Sequence, residues 1–421
     1  MIITRLYIEN LYGFKSTELD LSFTRLPVDS AIQGEFLENR PKFYFKKVCI
    51  LSGANASGKT SLGKILVGVQ NYLINKVLPN DFIVVGDKSL PAKFSIDFTL
   101  SYTNKLYRIE VTLEDKNETF IIKRLRFGYT PIRLNDSCRG ATKRLVSMFD
   151  QTYTETKEYK QYASLAFEMV HKPTIDAPRY YIDSESVEGG ITTTTELLKK
   201  ITILHYSWYY ILSENYESST YSEINLNIFK RILMTFDSSI TDVVPLVGKD
   251  EKNKDTTDGF SVRFKNNQRI VIGATGLPDQ PNRLSRGTYE AIKVALLLSR
   301  MLRDNYYDVQ NDSGYSPTYF LDEKMAFAHT ELEQLVLTLL IDKLPRYGQL
   351  FYTTHNVDIL DMNIPAHAYT FIKKDGDNST FIEAISLAKK NDRSLKTLVL
   401  NDCFDTKPND ELLFELLSER Q

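Results

Sequence analysis

At 421 residues, with 42% hydrophobic and 25% charged residues, the chain can bury a large core and divide it between two lobes. Its net charge of −2 excludes the strongly basic balance of a dedicated nucleic-acid binder, so nucleic-acid contact is neither implied nor excluded and needs a local basic groove. Three widely spaced cysteines (Cys49, Cys138, Cys403) argue for a reducing cytoplasm over a disulfide frame or zinc site, and no apolar run of about 18 residues or basic leader points to a membrane or export.

In chain order, the first strong signal is the apolar run Val48-Cys49-Ile50-Leu51, which predicts a buried strand. Apolar residues at helical spacing follow from Ser61 to Val67. Between them lies Gly53-Ala54-Asn55-Ala56-Ser57-Gly58-Lys59-Thr60, a complete G-x-x-x-x-G-K-[ST] phosphate-binding loop. Such a loop closes backbone N–H groups around a β-phosphate, here from Asn55, Ala56, Ser57 and Gly58. Lys59 sets a point charge between the β- and γ-phosphates, and Thr60 offers its hydroxyl to Mg²⁺. With Ser61 opening the helix, whose N-terminal donors and dipole favour anions, these residues form the expected nucleotide-binding set.

From Phe94 to Phe127 apolar and polar residues alternate, with turn clusters at Thr103-Asn104-Lys105 and Asp115-Lys116-Asn117, predicting an antiparallel meander. The basic clusters Lys46-Lys47 and Lys123-Arg124-Leu125-Arg126 read as a solvated face in preference to a phosphate-backbone contact. Ser147 to Thr235 reads as mainly helical, broken at Pro173, Pro178 and Gly189-Gly190, with no sustained heptads. Strands follow at Phe260–Phe264 and Arg269–Ile272. The stretch Leu284-Ser285-Arg286-Gly287-Thr288 then precedes a helix from Tyr289 to about Arg303, which puts Ser285 and Gly287 at a helix N-terminus.

Pro317-Thr318-Tyr319-Phe320-Leu321-Asp322-Glu323 is an apolar strand ending in two carboxylates, the form of a Walker B segment. The first acid, Asp322, suits Mg²⁺, and the second, Glu323, suits a general base for the attacking water. Gln349 to Asn356 is another apolar strand ending in a polar cluster with His355, placed to hydrogen-bond a γ-phosphate. Strands near Phe320 and Phe351 are expected in a parallel sheet with the P-loop strand. Asp375-Gly376-Asp377-Asn378-Ser379 reads as a tight hairpin turn. As a Ca²⁺ loop it would end on Ser386 where a glutamate is required.

The order of these four segments, phosphate loop, Ser285-Arg286-Gly287, Asp322-Glu323 and His355, resembles ABC-type ATPases, specifically the branch of SMC, RecF and overcoming-lysogenization-defect proteins. The opening Ile3 to Lys15 looks like that family's first strand and aromatic-rich turn. Phe236 to Val243 and Asn391-Asp392-Arg393-Ser394-Leu395 look like stand-alone bacterial AAA-type members, several of which act against phage. The resemblance departs at Arg286, where transporters commonly carry Gly, and at Ala328-His329-Thr330, where many relatives have a His-Pro pair.

The resemblance implies an α/β fold: an ABC-type P-loop ATPase head with an antiparallel β-subdomain and an inserted, mainly helical lobe. Its halves would be residues 1–146 and 246–421, with the lobe at 147–245. It further implies ATP and Mg²⁺ as cofactors, Asp322 as the metal acid, Glu323 as the base and His355 as the switch histidine. Two heads would pack face to face as a homodimer or larger homo-oligomer, with Ser285 and Gly287 of one copy reaching the γ-phosphate held by the other. The expected function is an ATPase controlling a separately encoded effector protein in phage defence. A RecF-like, ATP-gated DNA-binding protein is the alternative.

Overall fold

The structure is a computed structural model that describes residues 1–26, 30–75, 78, 81–116, 119–150, 180–185, 208–212, 224–249, 255–273, 276–311, 315–387, 394–407, 415 and 417. The chain divides into two compact units. One comprises Ile3–Thr99, Thr103–Ile203 and Thr353–Gln421, here the outer unit; the central unit comprises Met1–Ile2, Leu100–Tyr102 and Leu204–Tyr352.

The outer unit begins with β1 (Ile2–Leu11) and β2 (Phe14–Asp20), an antiparallel pair closed by a tight turn, followed by the short pair β3 (Phe36–Leu37) and β4 (Arg40–Tyr44). Next come β5 (Val48–Ser52) and helix α1 (Lys59–Asn75), as the flanking apolar patterns predict. The expected meander is β6 (Ala92–Thr99), β7 (Lys105–Lys116) and β8 (Thr119–Pro131), followed by α2 (Cys138–Asp150) and β9 (Tyr180–Glu185). Together they form an antiparallel sheet in the order β2-β1-β6-β7-β8-β9. One face is filled by aromatic cross-strand packing, with Tyr107 stacked on Phe98 at 5.3 Å and on Phe127 at 6.2 Å. The buried Asp97 accepts two hydrogen bonds from Arg108, at 2.6 and 2.8 Å, so neither charge is left unpaired.

In the central unit, β10 (Trp208–Ile211) is followed by α3 (Leu226–Phe236), then β11 (Ile240–Lys249), β12 (Asp255–Phe264) and β13 (Arg269–Gly273) as an antiparallel sheet. After them come α4 (Arg286–Asn311), β14 (Thr318–Asp322), α5 (Thr330–Asp342) and β15 (Gln349–Thr353). Strand β10 pairs in parallel with β14, and β15 lies beside β14. Tyr210, Phe320 and Phe351 pack in a row across these strands, with ring centroids 5.9 and 6.0 Å apart. The full burial of β14 explains its unbroken apolar run, since strands covered on both faces show no alternation.

The chain then returns to the outer unit with β16 (Tyr369–Asp375), β17 (Asn378–Glu383) and the short helix α6 (Leu395–Leu400). Strand β16 runs parallel to β5 and antiparallel to β17. The hairpin turn expected at 375–379 is present: Asp375 pairs with Asn378, and Gly376 takes the left-handed φ of 58° that the turn requires.

Three expectations change. Within the stretch expected to be mainly helical, the described residues include β9 and β10. Helices α2 and α3 cover 147–150 and 226–235 of it as expected, while 151–179, 186–207 and 213–223 lie outside the described residues, as do 391–393 of the Asn391–Leu395 segment. The expected boundary at 245/246 falls inside β11. Of the basic clusters, Lys46-Lys47 is not a solvated face, whereas Lys123 is exposed as expected. Lys46 is buried with its ammonium 2.6 Å from Glu383, Lys47 is buried, Lys123 pairs with Glu114, and Arg126 donates to Glu110 and to the Phe149 carbonyl.

Candidate functional site

In the outer unit, the four buried residues of β5 deliver the chain to the phosphate loop. Gly53 has no room for a side chain, because a Cβ there would stand 2.6 Å from the Ile372 carbonyl oxygen. Ala56 adopts φ 58°, the left-handed conformation that turns successive N–H groups toward one side. Gly58 has φ +115°, and a Cβ on it would come within 2.8 Å of the Phe14 ring. Asn55 and Ala56 form an exposed crest, Thr60 and Ser61 are half-buried, and Ser57 is buried. The Ser57 hydroxyl has no hydrogen-bond partner among the described residues.

Lys59 is 4% exposed and donates from Nζ to the carbonyls of Gly53 and Ala54, each at 3.0 Å. Its ammonium is thus folded back over the loop. The first turn of α1 carries no acid, so no carboxylate of that turn opposes an anion at its positive dipole end. Backbone donors, a buried cation and an open crest fit a phosphate chain.

The opening segment of the chain supports this loop from behind. Asn10, at φ 54°, accepts from the Asp87 N–H and donates to the carbonyls of Asp87 and Leu90, which ties the β1–β2 turn to the segment after α1. Phe14 stacks on Phe381 at 5.3 Å, and the Ser379 N–H donates to the Gly13 carbonyl at 2.7 Å. Phe14 is thereby held against Gly58.

His355 is exposed on the loop between β15 and the 3-10 turn Val357–Asp361. Its neighbours fix the backbone there. The Thr354 N–H donates to Leu51 of β5 at 3.1 Å, Thr354 Oγ1 accepts from the Asn356 N–H, and the Asn356 side chain caps the turn through the Asp358 N–H.

In the central unit, Asp322 is fully buried at the end of β14. Glu323, half-buried, takes φ 53°. That left-handed conformation costs a glutamate roughly 1–2 kcal/mol and is found where surrounding structure enforces it, often at active sites. The next residue, Lys324, is buried 3.4 Å from Glu290 of α4, an ion pair without hydrogen-bond geometry. Lys293, one turn along α4 and also buried, has its pKa pushed down to about 8 by desolvation first and Lys324 second.

Ser285 caps α4: its Oγ accepts from the Thr288 N–H at 3.0 Å and lies 2.6 Å from Thr288 Oγ1. Thr288 Oγ1 in turn donates to Asp237 at 3.0 Å. Gly287 is half-buried, and a Cβ there would meet only the Phe327 carbonyl oxygen at 3.5 Å and Ser285 Oγ at 3.9 Å, ordinary contact distances. Arg286 lies over the half-exposed Phe327 ring at 3.9 Å.

The structure brings together Asn55 to Ser61 in one unit, with His355 in that same unit. Asp322, Glu323, Ser285 and Gly287 lie in the other. Sequence reasoning gave no role to Asp237, Thr288, Lys324 or Glu290. The only sequence signals were the position of Asp237 in Phe236–Val243 and the adjacency of Thr288 and Lys324 to named residues.

No protein-family model matches the chain, and no curated protein matches it. Solved structures do. An SMC head bound to the C-winged helix domain of ScpA matches over 91% of this chain and 97% of that one, at 11% identity and a TM-score of 0.42. The recombination mediator protein RecF of the RecFOR pathway matches over 90% of this chain and 98% of that one, at 11% identity and a TM-score of 0.37.

Proposed function

We propose that the protein is an ATP-binding and ATP-hydrolysing ABC-type ATPase that closes head to head on ATP, and that the closed assembly controls a separately encoded effector in cytoplasmic defence against phage. The observation that carries the nucleotide reading is the phosphate loop itself: left-handed Ala56, sterically required Gly53 and Gly58, and the buried Lys59 ammonium resting on two carbonyls. In this reading Lys59 exchanges those carbonyls for phosphate oxygens. Thr60 and Asp322 supply hydroxyl and carboxylate oxygens, the hard donors Mg²⁺ takes, and the ion would neutralise charge on the phosphates. Glu323 takes the proton of the attacking water, and His355 donates to the γ-phosphate.

The left-handed Glu323 supports an active role, because strain of that kind persists where function needs a side chain aimed. Gly287 supports a contact made by another copy. Glycine inside a helix costs up to about 1 kcal/mol relative to alanine, and no described neighbour crowds a Cβ there. A phosphate approaching from outside gives the missing side chain a reason. Effector control is drawn from the resemblance of the motif order. The alternative, ATP-gated DNA binding, loses candidate contacts at Lys46 and Arg126, whose charges are engaged internally.

The test is nucleotide binding and turnover in two variants. Lys59→Ala should lose ATP binding; Glu323→Gln should retain it and lose hydrolysis by about 10²-fold or more. ATP binding by Lys59→Ala at wild-type affinity would remove the site, and normal turnover in Glu323→Gln would remove the base assignment.

A further inference from the structure

We propose that Asp237 and Thr288 are positioning residues that hold the Ser285 hydroxyl proton turned inward, so the turn must give up an internal hydrogen bond before it can donate to a γ-phosphate. The inference rests on the reading of Ser285 as the contact made to the other copy's nucleotide. It follows from counting protons along three side chains.

Asp237, at the junction of α3 and β11, uses both carboxylate oxygens. Oδ1 accepts from the Ser239 N–H at 3.0 Å and its hydroxyl at 2.5 Å, while Oδ2 accepts from Thr288 Oγ1 at 3.0 Å. A carboxylate has no proton to give, so the single Thr288 proton points at Asp237. The 2.6 Å contact between the Ser285 and Thr288 hydroxyls then requires the Ser285 proton to point at Thr288. Ser285 Oγ is also already an acceptor, from the Thr288 N–H. What it presents outward is a lone pair, which repels a phosphate oxygen.

To donate outward, Ser285 must turn its proton away from Thr288. Two oxygen lone pairs then face each other at hydroxyl contact distance, unless Thr288 turns its own proton from Asp237 to Ser285. Either way one internal hydrogen bond is exchanged for the phosphate contact. Thr288 is buried, so water does not readily replace the lost partner. The chain thus sets a threshold against assembly, located at a residue that touches no nucleotide.

The direction of the effect separates this latch from a merely structural role. Thr288→Val keeps the shape of the side chain and removes the inward acceptor, so the Ser285 proton is free. In Asp237→Asn, the one remaining oxygen serves the two Ser239 donors and the amide N–H faces Thr288; Thr288 must then donate to Ser285, releasing its proton as well. In the Glu323→Gln background, full-length protein titrated with Mg-ATP should show the latch directly. Each second substitution should lower the ATP concentration for half-maximal assembly by about two- to tenfold, the range of one net hydrogen bond. Adding Ser285→Ala should abolish that gain. If Ser285→Ala alone assembles as readily as its parent, the trans contact fails and the latch with it. If Ser285→Ala is defective while Thr288→Val and Asp237→Asn both need as much ATP as the parent or more, the latch alone is overturned.

Discussion

Replacing Gly58 by alanine tests how tightly the phosphate loop depends on the first turn of the chain. Two separable costs arise. The φ of +115° is one that residues with a Cβ rarely adopt, at roughly 1–2 kcal/mol. The new Cβ would also stand 2.8 Å from the Phe14 ring, an overpacking contact of about 1–3 kcal/mol. Together, about 2–5 kcal/mol would be set against the loop conformation that receives phosphate, a loss of at least about 30-fold in ATP affinity. Titration with a fluorescent ATP analogue measures it. The double variant Gly58→Ala/Phe14→Leu relieves the contact at the ring end, so it should recover the steric part and retain the conformational part. Binding by Gly58→Ala within threefold of wild type would refute the reasoning, because it would mean that neither the φ nor the Phe14 contact constrains the loop.

Gly287→Ala should raise thermal stability slightly, by up to about 1 kcal/mol from helix propensity, while impairing ATP-dependent assembly; unimpaired assembly would show that nothing approaches Gly287. Lys293 gives a pH signature. Its folded pKa of about 8 lies below the ordinary lysine value, so the unfolded chain binds more protons between about pH 8 and 10 and stability rises with pH across that window. Below pH 8 the penalty is fully present. Lys293→Met should therefore stabilise the protein at pH 7, on the order of 1–3 kcal/mol, with the gain fading by about pH 10 in denaturant titrations. A gain that persists undiminished at pH 10 would place its origin in packing.

What could be read from the chain was local. The phosphate loop, the hairpin at Gly376 and the strand ending in Asp322 are each written within about ten consecutive residues, where turn chemistry and apolar patterning act. The strands β9 and β10 were missed although Tyr180-Tyr181-Ile182 and Trp208-Tyr209-Tyr210-Ile211 carry the aromatic and β-branched composition of strands. The stretch read as helical when averaged over its length, and pairing with β8 and β14 decides those residues instead. Lys46 misled for another reason: a lysine is nearly always solvated, and the carboxylate that helps make its burial tolerable, Glu383, is distant in sequence. The same applies to Asp237, whose hydrogen bond to Thr288 spans 51 residues.

The central claim is that ATP drives two heads together around Ser285 and Glu323. Light scattering on wild type and Glu323→Gln, each without nucleotide and with Mg-ATP, tests it most directly. The account predicts an ATP-dependent increase in the mass of Glu323→Gln that persists, because closure is retained while turnover is stalled. A mass in Glu323→Gln that does not change with Mg-ATP would contradict it.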